Sequence, residues 1–226
     1  MQDIYNSQTG APSASFETSK VLRNTYALLA MTLLFSAVTA GISMAAGVGH
    51  IAGFIMMISA FLLIWFVLPR TANSSKGIFV VFAFTGLLGA SLAPTLNHYL
   101  AMDNGSLVLQ ALGGTALVFF SLSAYALTTR KDFSFMRGFL FTGIIIAIVA
   151  SIGILIASIL GHEVSVFSAA ISALMVLLMS GFILYDTSRI IHGGETNYLR
   201  ATTELYLDIY LLFVHLLNLL GFLSDD

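Results

Sequence analysis

The sequence predicts an all-α polytopic membrane protein with seven transmembrane helices and its N-terminus in the cytoplasm. Three observations carry this. First, 58% of the 226 residues are hydrophobic and only 9% are charged. Soluble domains run nearer half apolar and about a quarter charged, so this chain has too few charges to cover a soluble surface. Second, the chain divides into seven apolar runs, each long enough for the roughly 20 residues that a crossing helix needs. Third, all nine Lys and Arg residues fall at alternate ends of those runs.

The elements follow in order. Residues 1–20 are polar, with Ser, Thr, Gln and Pro12, and read as a flexible cytoplasmic tail. A single seven-helix domain is expected over 21–226. Its spans fall at about 21–46, 48–69, 77–97, 105–129, 134–160, 164–191 and 198–223. The first is too long for the h-region of a cleaved signal and reads as a retained span. In the third, Gly86, Gly89, Ala90 and Ser91 permit close backbone approach, and Pro94 kinks or ends the helix. Gly113-Gly114 does similar work in the fourth. The connections are short, so successive helices are antiparallel neighbours.

Orientation comes from the basic residues. Lys20 and Arg23 flank the first span, and Arg70 and Lys76 join the second to the third. Arg130, Lys131 and Arg137 lie between the fourth and fifth, and Arg189 and Arg200 between the sixth and seventh. The other loops, near His50, Asp103 and His162-Glu163, carry none. Lys and Arg favour the cytoplasmic side, which sets the N-terminus there and leaves Asp225-Asp226 outside.

Several classes drop out. A net charge of −2 gives no footprint for nucleic acid. With no cysteine there is no disulfide, thiolate catalysis or thiolate metal site. The nine methionines read as gap fillers between helices. Lysine occurs only at 20, 76 and 131, outside the spans, so no retinal-type Schiff base can form within the bundle. No cofactor is called for, and the chain reads as a non-enzyme.

What remains is a set of polar groups in the last two spans. A charged aspartate near a helix centre costs about 2.5–3.5 kcal/mol on insertion scales, so Asp186 and Asp208 need a compensating partner. On a helical wheel with Glu204 at zero, Asp208, His215 and Asn218 fall at roughly 40°, 20° and −40°. That narrow stripe should face the bundle interior. Asp186 sits near the C-terminal end of its helix, where the dipole disfavours a carboxylate. Arg189, three residues on, is its local partner, and Arg70 is a remote one. The sixth and seventh helices are antiparallel neighbours, so the two aspartates enter from the same side and can meet. Two carboxylates in one dry site do not readily both ionise; one holds a proton and their titrations couple. Deprotonated, the pair needs Arg70 as a latch or a hard oxygen-seeking ion such as Ca²⁺.

At these residues the chain resembles the Bax inhibitor-1 family, also called the transmembrane Bax inhibitor motif family. The resemblance is most specific in L-Y-D-T-S-R-I-I-H-G-G-E (184–195) and E-L-Y-L-D-I-Y-L-L-F (204–213), then in the third-span glycine segment. G-G-T-A-L-V-F-F and H-G-G-E-T-N-Y-L-R-A-T are similar to the bacterial branch known as modulators of the FtsH membrane protease. The resemblance implies six helices around a central seventh. It also implies a pH-dependent calcium leak governed by an aspartate pair with an arginine latch, carried over to Asp186, Asp208 and Arg70.

Three functions follow as expectations. The first is a pH-sensitive calcium-leak channel of the bacterial inner membrane, passing or sensing Ca²⁺ or protons. The second is a membrane-embedded modulator that binds and restrains the FtsH protease, with the polar tail suited to engagement. The third, remote, is an intramembrane aspartyl protease. Tyr185-Asp186 suits that layout, but no glycine precedes Asp208 and no Pro-Ala-Leu segment follows it.

Overall fold

The computed structural model describes residues 11–103 and 105–224, and side chains from Thr18 onward apart from that of Asp103. Seven helices are long and apolar enough to cross a membrane. We label them α1 (Ala11–Ala45), α2 (His50–Thr71), α3 (Lys76–Met102), α4 (Ser106–Thr129), α5 (Ser134–Ile159), α6 (Ser165–Ile191) and α7 (Tyr198–Ser224). No strand occurs among the described residues.

One helix departs from the sequence expectation at its start, and another resolves an alternative the sequence left open. Residues 11–20, expected within the flexible tail, are the start of α1. Pro12 lies in the first turn, where its fixed φ fits and its missing N–H would be unpaired in any case. Residues 1–10, and the Asp225-Asp226 end, lie outside the described residues. In α3 the helix breaks at Leu92 and resumes at Ala93, so Pro94 kinks this span rather than ending it. A second irregularity is a π turn at Leu63–Val67, just before Pro69 in α2. Proline removes a backbone donor, and the ladder widens locally, with the Leu68 N–H reaching back to the Leu63 carbonyl.

Packing follows from which faces are apolar or small. α7 is the central helix, packed against α6, α4, α1 and α3. α2 lies outside this group against α3, and α5 against α6. Leu205, Tyr206, Leu212 and Leu217 of α7 are essentially fully buried, together with Leu29, Phe84, Leu88 and Ile183 from the surrounding helices. The outward faces of α2 and α5 carry Ile51, Phe54, Trp65, Phe139, Ile145 and Val149, all exposed in the isolated chain. That is the pattern of a lipid-facing surface, where apolar side chains need no protein partner.

The small residues of α3 do what their size suggested. A methyl group on Gly89 would collide with the Ser36 carbonyl, and one on Gly86 with the Phe35 ring. The α1–α3 crossing is therefore close enough to exclude any side chain at these two positions. Between α4 and α5, Asp132 accepts from the Ser134 N–H at 2.8 Å. That donor holds its carboxyl below the usual carboxylate range.

Candidate functional site

The segment 184–195 ends α6 and opens the turn into α7, and nearly every polar side chain in it has a separate task. The Thr187 hydroxyl lies 3.4 Å from that of Tyr26 on α1. Ser188 accepts from the Phe133 N–H at 3.1 Å and donates to the Lys131 carbonyl, fastening the α4–α5 connection to α6. The His192 ring reaches the Arg130 carbonyl of the same connection at 3.1 Å. Gly193 takes a left-handed φ of +74°, which reverses the chain and lets the Gly194 N–H cap the Arg189 carbonyl.

Beyond the turn, Asn197 starts α7. Its Oδ1 accepts from the Leu199 and Arg200 N–H groups, and its Nδ2 donates to the Ala72 carbonyl. The α6–α7 turn is thereby tied to the α2–α3 connection as well. These caps fix the relative height of α6 and α7, and hence which of their side chains meet.

Arg189 is the hub of this end of the bundle. Its Nη1 donates to Asp186 Oδ1 at 3.3 Å and to Glu204 Oε2 at 3.2 Å. Its Nη2 pairs with Glu195 Oε2 at 3.5 Å. The guanidinium also lies over the Tyr185 ring, 5.5 Å from its centroid. One cation thus serves three carboxylates, from α6, the turn and α7.

Below this hub lies the pair singled out in the sequence. Asp186 and Asp208 are both buried, each about 6% exposed. Their carboxyl groups come within side-chain hydrogen-bonding reach of one another. The contact needs a proton on one of the two, because ionised carboxylates only accept. Asp208 Oδ2 is enclosed and has no hydrogen-bond partner. The rest of the α7 stripe also faces inward. His215 Nδ1 lies 3.4 Å from Ser172 Oγ on α6, and Asn218 Oδ1 accepts from Tyr99 OH on α3 at 3.1 Å.

Arg70 stands apart. It donates to the Phe66 carbonyl at 2.6 Å, within the irregular end of α2. Among the described residues it forms no ion pair with an acid. In this conformation the guanidinium beside Asp186 is that of Arg189, the local partner. Pro69 brings no N–H to this irregular stretch, and the Arg70 side chain folds back along its own helix onto the Phe66 carbonyl.

Sequence reasoning missed the opposite face of α7. Tyr206 OH donates to the Thr85 carbonyl at 3.1 Å and accepts from Ser36 Oγ at 2.6 Å. Tyr210 OH meets Ser91 Oγ at 3.2 Å, and the two tyrosine rings stack. Thr202 donates to the Tyr198 carbonyl within its own helix and reaches the Thr25 carbonyl of α1. The signal was present: Thr202, Tyr206 and Tyr210 recur every four residues, on one face. Tyrosine is counted among the hydrophobic residues of the composition, which hid the second stripe.

Chemically, the site offers two carboxyl groups that share a dry space beside a guanidinium bridge. Among the described residues no group of three or more His, Asp or Glu side chains is placed to hold a metal ion.

Known proteins agree with this architecture. A family model described as Bax1-I, inhibitor of apoptosis-promoting Bax1, matches residues 18–225. A protein of Vibrio cholerae named only as an uncharacterized membrane protein is 49% identical, over 97% of this chain and 96% of its own. The Escherichia coli K12 protein named modulator of FtsH protease YccA is 48% identical, over 92% of this chain and 93% of its own. A Pseudomonas aeruginosa protein is 44% identical over the full length of both. With nearly the whole chain matched, and with seven spans and a central α7 carrying the motif residues, the protein belongs to the Bax1-I family of inhibitors of apoptosis-promoting Bax1.

Proposed function

We propose that this protein is a multi-pass inner-membrane modulator that binds and restrains an FtsH-type membrane protease. The observation that carries the reading is the E. coli relative of that name, 48% identical along 93% of its length. A further E. coli relative is named an inner membrane protein, which supports the same location. With the N-terminus in the cytoplasm, the Arg189 hub and the α6–α7 turn face the same compartment as residues 1–20. The role is restraint by binding, with no reaction of its own. Co-purification with the protease from membranes, using the full chain and a chain lacking residues 1–15, tests it. Association of the full chain and slower turnover of a membrane substrate are expected. Failure of both forms to associate dismisses the reading.

The Asp186–Asp208 contact favours a second reading, a slow pH-sensitive calcium leak. Here the shared proton fastens α6 to α7, and its loss loosens them. Ca²⁺ is the transported ion rather than a resident one. Arg189 takes the place first expected for Arg70 as the cation that answers the acids, with Glu204 as its second anchor; His215 and Asn218 line the same inward stripe. Purified protein in liposomes loaded with a Ca²⁺ dye tests it. Flux that rises with loss of the proton in wild type and is flat in Asp208→Asn is expected. Identical flux from both at every pH removes the pair from the mechanism.

A further inference from the structure

We propose that the α6–α7 seam holds a second polar station at the end away from the turn, a vestibule for small hydrated cations. An apolar plug parts it from the aspartate pair. The proposal rests on the cation-leak reading and says where the barrier to that leak lies.

The vestibule is a cavity of about 260 Å³ between the ends of α3, α6 and α7. Its polar wall is His98 and Tyr99 from α3, Ser165, Ser168 and Ser172 from α6, and Asn218 from α7. Ser165 and Ser168 are exposed at its mouth, and Ser172 is buried at its floor. Two cross-helix hydrogen bonds shape it, Tyr99 to Asn218 at 3.1 Å and His215 with Ser172 at 3.4 Å. The lining residues include no carboxylate and no Lys or Arg. Neutral oxygens replace part of an ion's water shell without holding it tightly, which conduction requires.

The two polar zones belong to one seam. Ser165, Ser168, Ser172, Met175, Met179, Ile183 and Asp186 follow the three- and four-residue spacing of one α6 face. On α7, Asn218, His215, Leu212, Leu211 and Asp208 lie along the matching face. Seven residues, roughly 10 Å of helix, separate Asp208 from His215. The space between is apolar. Met175, Met179, Ile183 and Leu212 are buried members of one hydrophobic cluster. A dry constriction of this kind blocks ions because they cannot shed their water into it. Burial at the aspartates alone would make the pair the whole barrier; the seam instead gives a plug with polar groups on both sides.

The absence of native cysteine makes the plug measurable, since any thiol is one that was introduced. Single variants Ser172→Cys, Asn218→Cys, Met179→Cys and Leu212→Cys of the full chain are exposed to Ag⁺, which is as small as the ions in question. The chain is then denatured and unreacted thiols are counted with a maleimide. The station cysteines at 172 and 218 are expected to react at least about tenfold faster than the plug cysteines at 179 and 212. Equal rates at all four positions overturn the proposal. A second measurement uses Leu212→Ser in Ca²⁺-dye liposomes, with flux raised about tenfold over wild type as the expected result. A leaking wild type with an unchanged Leu212→Ser variant shows that the plug is no barrier. No leak from wild type or variant at any pH overturns the cation-leak reading itself, and the plug as its gate falls with it.

Discussion

Arg189 on α6 and Glu204 on α7 meet at 3.2 Å across the turn that joins their helices. The same guanidinium holds Asp186 at 3.3 Å and Glu195 at 3.5 Å. Two antiparallel helices are thus clamped at one end by a charge on the outer face of the aspartate pair. Asp186 belongs to both the cluster and the pair, while its partner Asp208 is buried in the seam with no salt bridge to Arg189.

Replacing Arg189 with Gln removes three ion pairs and leaves three acids facing one another. Arg189 and Glu204 are partly exposed while Asp186 is buried, so we expect a loss of roughly 1–3 kcal/mol, between a surface and a buried pair. Thermal unfolding in detergent reads this as a lowered midpoint. The deficit should shrink at low pH, because protonated carboxyls no longer need a cation. A deficit that is the same at every pH would mean that Arg189 acts through packing on Tyr185 instead.

Asp208→Asn keeps the shape of the side chain and removes one charge from the pair. On the leak reading the folded pair shares a proton, while free aspartates in the unfolded chain release theirs at about 3.9. Where the folded state binds more protons, stability falls as pH rises. The wild type should therefore lose stability as pH rises above about 4, and the variant should lose less. Parallel unfolding curves for both proteins across this range would count against proton sharing.

Tyr206→Phe tests the stripe that the composition concealed. It deletes the donor to the Thr85 carbonyl and the acceptor for Ser36. Leaving such groups unpaired in a buried site costs about 1–3 kcal/mol. We expect a lowered unfolding midpoint with little change in pH response, since the tyrosine lies on the opposite face from Asp208. Tyr210→Phe removes a single contact, to Ser91, and should cost less.

Two glycine substitutions separate close packing from open space. Gly89→Ala drives a methyl into the Ser36 carbonyl and should destabilise the α1–α3 crossing enough to lower the folded yield. Gly113→Ala meets nothing within 4 Å and should be neutral or slightly stabilising. Equal yields and unfolding midpoints for the two variants would show that the α1–α3 helices can separate without cost.

Much of the site was legible because polar groups in an apolar run stand out. Asp186, Asp208, Glu204, His215 and Asn218 were found that way, and the α7 wheel placed four of them on one inward face. Arg189 was the local candidate and Arg70 the remote latch, but such reasoning could not decide which guanidinium stands beside the acids, because both follow an apolar run near the same side. In the structure Arg70 folds back onto the Phe66 carbonyl of its own helix. The tyrosine stripe was readable by spacing but not by composition. The helical start at Ala11 was hidden by the polar character of residues 11–20.

The sequence by itself determined how many times the chain crosses, roughly where, and which polar groups had to be sheltered. Those follow from local quantities: the length of an apolar run, the cost of a charge in hydrocarbon, the period of a helix. Only the tertiary structure decided which cation meets which acid, that α2 and α5 lie outside the group around α7, and that the seam packs apolar side chains in its middle. Such facts depend on the relative height and rotation of separate helices. These are set by caps and close contacts such as Asn197 on Ala72 and Gly89 on Ser36, between residues far apart along the chain.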